Sequence, residues 1–206
     1  MRYGLPYQGS KNKIAENIIS ILPKGKRLVD LFGGGGAISH CASLSGKWES
    51  VYYNDFNPLV VDFLRRAING DYSPDKFTPE WVSCEDFLKK KDTDGYIKYV
   101  WSFGNDGRTY IFGKEIEKVK RIIFNAVVSC DTAELTELLQ KPVKFSGLTY
   151  IERRAEWRNF CLKNINISTP PLYSDRKNIA TAKPAKPGKP AKHGKPARRN
   201  TLRFIP

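Results

Sequence analysis

The chain has little of what binds metals, forms disulfides or crosses membranes. Its four cysteines, Cys41, Cys84, Cys130 and Cys161, are widely spaced with no Cys-x-x-Cys pair, and only His40 and His193 could join them. A clustered metal site is therefore not expected, and reduced core thiols are. Long apolar runs are missing as well. No stretch approaches the roughly 20 apolar residues that span a bilayer, and no apolar leader precedes Tyr7-Gln8-Gly9-Ser10-Lys11. A soluble, cytoplasmic chain with no membrane partner is the expectation. Acid is scarce in one region: Ser174 to Pro206 holds Asp175 against 10 Lys and Arg, leaving 25 basic and 20 acidic residues upstream. The net charge of +14 thus belongs mostly to the tail, and the body carries only +5. Such charge suits a polyanion without saying which one.

What is present suffices for one compact core and a small second lobe, since 40% of the 206 residues are hydrophobic. Ile14, Ile18, Ile21 and Leu22 recur at helical spacing and predict a helix over 12–22 that stops at Pro23. Arg27 to Phe32 reads as a buried strand running into Gly33 to Gly36 and then a helix from about Ala37. A second strand, Ser50 to Tyr53, leads to Asn57-Pro58, a cap and first-turn proline for a helix reaching Asn69-Gly70. This β-α-β-α succession predicts an α/β fold, with a parallel sheet and ligands beyond the carboxyl ends of its strands. Thr78-Pro79 repeats the cap-and-proline signal and predicts a helix through Trp81 and Phe87, while 92–113 reads as a hairpin or exposed loop. Helical patterning returns over 114–128, 132–140 and 149–163. After Ser174 a Lys-Pro-Ala/Gly repeat with almost no apolar residue predicts an extended, disordered basic tail over 174–206.

The glycine loop is the first feature that carries chemistry, because Gly33 to Gly36 after Asp30-Leu31-Phe32 let backbone approach a ligand closely. A dinucleotide fingerprint would place a third glycine where Ile38 and Ser39 stand, so a nucleoside without pyrophosphate fits better. Asp55, some 20 residues on, suits ribose hydroxyls. The alternative is a turn that merely packs strand against helix.

Taken in order, Tyr7-Gln8-Gly9-Ser10-Lys11, Asp30-Leu-Phe-Gly-Gly-Gly-Gly36 and Asn54-Asp55-Phe-Asn57 resemble the Dam-type DNA adenine-N6 methyltransferases. The resemblance covers roughly residues 1–168. It implies S-adenosyl-L-methionine as cofactor, with Tyr7 and Lys11 at its methionine end and adenine side, Asp55 on the ribose, and Asp30, Gly33 and Gly35 in the binding loop. The residue chemistry agrees: an aromatic face suits the sulfonium or adenine, Lys11 a carboxylate, and Asp55 two hydroxyl donors. Each also has a structural alternative, with Tyr7 as packing, Lys11 as a solvated residue and Asp55 as a helix cap.

Trp101-Ser-Phe-Gly-Asn105-Asp-Gly-Arg108-Thr-Tyr110-Ile-Phe-Gly113 is similar to the hairpin that Dam-like enzymes press against DNA. Asn-Asp-Gly is itself a hairpin-turn signal. Asn105 would meet adenine or backbone, Arg108 a phosphate or guanine edge, and Tyr110 the space left by an extruded base. An ordinary surface hairpin with a buried aromatic side is the alternative.

One element of the family pattern does not match. These enzymes hold the target amine with Asp/Asn-Pro-Pro-Tyr/Phe, in which the acid or amide accepts from the amine and the ring stacks on the flipped base. The nearest string here, Thr169-Pro170-Pro171-Leu172-Tyr173, has a weaker acceptor first and an inserted Leu172 before the ring. These are weak catalytic candidates.

The resemblance therefore implies a Rossmann-like methyltransferase core, incomplete on its C-terminal side, with an inserted, mainly helical DNA-recognition lobe. Residues 1–75 would form the cofactor part, 76–147 the recognition lobe, 148–173 the return to the core and 174–206 the tail. The implied activity is methyl transfer to adenine N6 in double-stranded DNA, from a truncated or frameshifted copy. The alternative is an inactive remnant that still binds cofactor and DNA. A monomer is expected, and a cognate restriction endonuclease is a partner the resemblance allows.

Overall fold

The computed structural model describes residues 3–164 and the backbone of 202–204. Its first element is a 3-10 turn, Asn12–Ile14, that runs into helix α1, Ala15–Ile21. Leu22 turns to extended backbone before Pro23, as proline's ring demands of its predecessor. The bare carbonyl end of α1 is closed from far along the chain. Lys47 Nζ donates to the carbonyls of Ile19 at 2.6 Å, Ser20 at 3.1 Å and Leu22 at 2.6 Å, a cation on the negative end of a helix.

Strand β1, Gly25–Asp30, helix α2, Ala37–Ser45, and strand β2, Trp48–Tyr53, form a parallel βαβ unit. Register runs from Gly25 opposite Trp48 to Asp30 opposite Tyr53, so both strands end at the same level. Helix α1, α2 and the Trp48 and Val51 side chains of β2 share one core cluster with Tyr3. Helix α3, Pro58–Ile68, starts as the sequence predicts: Asn57 Oδ1 accepts from the Leu59 amide at 3.1 Å, and Pro58 fills the first turn. Its Val60, Phe63 and Leu64 cluster with Leu5, Tyr53 and Tyr99.

A third strand, β3, Leu202–Phe204, lies parallel to β2 with Val51 opposite Leu202 and Tyr53 opposite Phe204. At these three residues the predicted featureless tail is corrected. Leu-Arg-Phe resumes apolar alternation after the Lys-Pro repeat and carries the amides that proline lacks. The sheet order is β1-β2-β3, which leaves β1 at an edge among the described residues.

Two helices after α3 differ from the sequence reading. No helix starts at Thr78-Pro79. Helix α4 is Cys84–Lys90, and Ser83 caps it by accepting from the Asp86 amide at 3.1 Å while its hydroxyl donates to the Asp86 carboxylate at 2.7 Å. This reciprocal pair outcompetes the Thr-Pro signal, and Trp81 and Val82 instead enter an aromatic cluster with Phe87, Trp101 and Tyr110. Within the predicted loop lies helix α5, Gly95–Val100, capped by Asp94, whose side chain accepts from the Ile97 amide at 2.9 Å. Gly95 is required there because a Cβ would meet Phe63 Cβ at 2.9 Å where α5 crosses α3.

The remaining helices follow the predicted pattern: α6 Lys114–Ser129, α7 Ala133–Leu139 and α8 Tyr150–Asn164. They bury Ala126, Leu135 and Val143 together, with Trp157 and Phe160 against them. Arg153 fastens α8 to the end of α6: Nε donates to Val127 O at 2.6 Å and Nη2 to Val128 O at 2.7 Å, while Nη1 reaches Leu148 O at 2.9 Å. No described helix is long and apolar enough to cross a membrane, and the described residues contain no His, Cys, Asp and Glu cluster suited to a metal ion.

Candidate active site

The carboxyl ends of β1 and β2 bring the glycine loop and Asp55 together. Gly33 N donates to Asn54 O at 2.9 Å, and Asn54 N donates to Asp30 O at 2.9 Å, which extends the strand pairing into the loop. Asp55 Oδ2 accepts the Gly34 amide at 2.7 Å, and its Oδ1 accepts the Asn57 amide at 2.9 Å. A carboxylate offers about four lone-pair positions, so two remain after these backbone bonds. Asp30 has a different task. Its Oδ2 accepts from the buried Ser39 hydroxyl at 2.6 Å, tying β1 to α2.

Protein packing by itself requires several of the glycines. A side chain at Gly33 would drive into the Tyr53 ring, and one at Gly35 would meet Tyr7 Cβ at 2.7 Å. Gly36 stands in the left-handed region at φ 74° as it opens α2, and its added Cβ would meet Leu64 at 2.7 Å. The packing alternative for this loop is thus part of the structure, alongside the bonds that aim Asp55 at it. Tyr53 seals the floor. Its hydroxyl donates to Gly34 O at 2.6 Å, and burial, then the Asp55 and Asp30 carboxylates, push its phenol upward.

Two hollows open on either side of the Asp55-to-Asn57 turn, the first lined by Asp55 and the second by Asn57. One, of about 490 Å³, is lined by Tyr53, Asn54, Asp55, Phe56, Pro58 and Arg65. Phe56 is 98% exposed there, a large ring open to any ligand that Asp55 holds. The other, of about 360 Å³, lies between the N-terminal segment and the 105–108 loop, with Tyr7, Asn57, Tyr99, Lys98, Asn105 and Arg108 in its wall. Tyr7 is half-buried, its ring 5.0 Å from that of Tyr99. Tyr99 accepts from Asn57 Nδ2 at 2.6 Å, and burial followed by the neighbouring Tyr7 pushes its phenol up to about 12.

Of the residues singled out from sequence, Tyr7, Asp30, Gly33, Gly35 and Asp55 converge here. Lys11 is exposed at the first helical turn, where its ammonium donates to Gly9 O at 3.0 Å. Asn105 and Arg108 reach the second hollow, but the Asn105 amide is directed inward and donates to Tyr99 O at 2.7 Å. Arg108 is exposed, with its backbone amide on Asp106 Oδ1 at 2.8 Å.

Tyr110 is a correction. It is 8% exposed, its hydroxyl donates to Val82 O at 2.7 Å, and its ring lies 5.7 Å from Phe87 and 5.8 Å from Phe112. It belongs to the core of the lobe, where burial raises its phenol, because the bridge from Ser102 to Tyr110 turns it inward. The expected hairpin is reduced to that bridge and the bonds flanking it, Phe103 N to Thr109 O at 2.8 Å and Ile111 N to Trp101 O at 2.9 Å. Thr169, Pro170, Pro171 and Tyr173 lie outside the described residues.

Sequence reasoning missed Phe56, Asn57 and Tyr99 as site residues. Phe56 could have been found as an apolar residue set between the acid and a helix cap. Asn57 was legible as a cap and as the end of the Asn54-Asp55-Phe-Asn57 string, and Tyr99 carried no local signal.

A parallel βαβ unit whose glycine loop is bonded to an acid after the second strand is the frame on which α/β proteins hold nucleosides and nucleotides. The family model for D12 class N6 adenine-specific DNA methyltransferases matches residues 7–167, and the chain belongs to that family. No curated protein and no solved structure matches it.

Proposed function

We propose that the chain binds S-adenosylmethionine at Asp55 and the glycine loop, holds double-stranded DNA against the 105–108 loop, and is the cofactor- and DNA-holding part of an adenine-N6 methyltransferase. The observation that carries this reading is Asp55, fixed by the Gly34 and Asn57 amides with two acceptor positions left over, beside the open Phe56 ring. That donor and acceptor set fits an adenosine: two ribose hydroxyls for the carboxylate and a ring face for the base. Lys11 supplies the cation for the carboxylate of the cofactor, turning from Gly9 to do so, and Tyr7 supplies an aromatic wall. When bound, the cofactor supplies an electrophilic methyl group on its sulfonium.

DNA is the polyanion for the other side. Arg108 stands exposed at the second hollow, with Lys91 and Lys98 in the same wall, although Lys98 is paired with Asp92 at 2.8 Å and Asp106 lines the wall as well. Residues 76–147 form the recognition lobe in this reading, and 1–75 with 148–173 the core. A sheet that continues beyond β1 into a Rossmann-like core is supported by the edge position of β1 and by Val29, Leu31 and Phe32, which are exposed on and just after it.

A second reading is favoured by one sequence fact. No Asp/Asn-Pro-Pro-Tyr/Phe string occurs in the 206 residues, so the chain would hold both ligands without transferring methyl. The test is incorporation of labelled methyl from S-adenosylmethionine into unmethylated duplex DNA, run beside calorimetric titration with S-adenosylhomocysteine. Labelled N6-methyladenine makes the chain an enzyme whose site is completed by Thr169 to Tyr173 or by another segment. Binding without incorporation supports the second reading. A folded protein that binds neither ligand overturns both.

A further inference from the structure

We infer that Tyr99 is a positioning residue that couples the cofactor loop to the DNA-facing loop, so that each ligand tightens the binding of the other. The inference rests on the proposed cofactor and DNA sites, to which Tyr99 adds a link that neither site needs by itself. Three of its contacts run in three directions. The hydroxyl accepts from Asn57 Nδ2 at 2.6 Å, and the Asn57 backbone N–H donates to Asp55 Oδ1 at 2.9 Å. The ring lies 5.0 Å from Tyr7, whose ring would touch a Cβ on Gly34 at 3.2 Å. The carbonyl accepts from Asn105 Nδ2 at 2.7 Å, and Asn105 in turn accepts the Gln8 amide at 3.1 Å on its own carbonyl.

These contacts form a relay from Asp55 through Asn57 and Tyr99 to Tyr7, whose ring faces Gly34, the residue whose amide donates to Asp55 at 2.7 Å. Asn105 hangs on that relay in the left-handed region at φ 58°, a conformation that an isolated asparagine adopts at a cost and that its two tertiary bonds hold here. A ligand that fixes Asp55 and the face of Tyr7 thereby fixes Tyr99 and the loop carrying Arg108. DNA that orders the loop removes the same freedom from the cofactor side. Linkage makes the effect reciprocal, with a coupling factor on the order of 5 or more.

The test is titration of the full chain with S-adenosylhomocysteine, with and without saturating, sheared, unmethylated duplex DNA. The ratio of the two Kd values is the coupling factor. Because it is taken within one protein, it is insensitive to a general loss of affinity. Wild-type protein is expected to give a factor of at least about 5, and Tyr99→Phe, which keeps the ring and removes the acceptor for Asn57, a factor near 1. Tyr110→Phe removes a buried phenol bond elsewhere in the lobe and is expected to keep the wild-type factor. Binding of both ligands with a wild-type factor of 1 overturns the coupling and leaves the proposed function standing. So does a Tyr99→Phe factor equal to wild type. Failure to bind either ligand overturns the functional reading itself, and the coupling with it.

Discussion

Asp55 and Gly34, 21 residues apart, are joined by a 2.7 Å bond from the Gly34 amide to the Asp55 carboxylate, and the other carboxylate oxygen takes the Asn57 amide. One acid thus holds the glycine loop to the start of α3. The consequence concerns its nearest isostere. Asp55→Asn must turn an NH₂ toward one of two backbone N–H donors, so it is expected to lower stability by about 1–3 kcal/mol in urea unfolding. The same variant is expected to weaken S-adenosylhomocysteine binding at least about tenfold. Unchanged stability would mean that these two bonds do not hold the loop.

Glycine replacements should separate packed positions from open ones. Gly33→Ala pushes a methyl into the ring of Tyr53, which is fully buried and fixed by its bond to Gly34 O, and is expected to cost about 1–3 kcal/mol. Gly113, at φ −70° with nothing within 4 Å of an added Cβ, should tolerate alanine at a cost below about 1 kcal/mol. Equal unfolding midpoints for the two variants would count against the packed loop.

His40 predicts an acid-side loss of stability. Its Nδ1 accepts the Gly4 amide at 3.0 Å, and burial lowers its pKa below the usual 6.5. The unfolded chain therefore takes up the proton first. The stabilisation is complete above pH 6.5 and declines as the pH falls through 6.5 toward the depressed folded value. Thermal melting from about pH 7.5 to 5.5 is expected to show this decline in wild type and a flatter profile in His40→Asn, whose amide oxygen can still accept from Gly4. An identical slope in the variant would assign the titration elsewhere.

Arg108 and Tyr110 are neighbours in sequence with opposite expected phenotypes. Arg108→Ala should weaken DNA binding across sequences and lower the salt slope by about 1, with little change in melting. Tyr110→Phe strips the donor from the buried Val82 carbonyl and should cost about 1–2 kcal/mol of stability. Once folded, that variant should keep its salt slope. Fluorescence anisotropy over a range of salt concentrations distinguishes them, and a changed slope in Tyr110→Phe would return that residue to the DNA surface.

The order of the site was legible because its signals are local. Asn57-Pro58 opens α3 by side-chain capping within two residues, and Pro23 ends α1 through its own ring. The four glycines mark a loop wherever the fold places it, and the spacing to Asp55 marks a second strand between them. The family follows from that order. One local signal misled: Thr78-Pro79 predicts a helix that does not form there, and the helix starts instead after Ser83, whose side chain pairs with Asp86.

The sequence by itself therefore determined the βαβ frame, the glycine loop, the acid that meets it and the basic character of the chain. These depend on backbone sterics, capping and charge acting over a few residues. The tertiary structure alone decided that Tyr110 faces inward, that Leu202–Phe204 pairs with β2, and that Tyr99 joins Asn57 across 42 residues of chain. Each of these is settled by which distant surface is there to bury a ring or accept a hydrogen bond, and no local spacing encodes that.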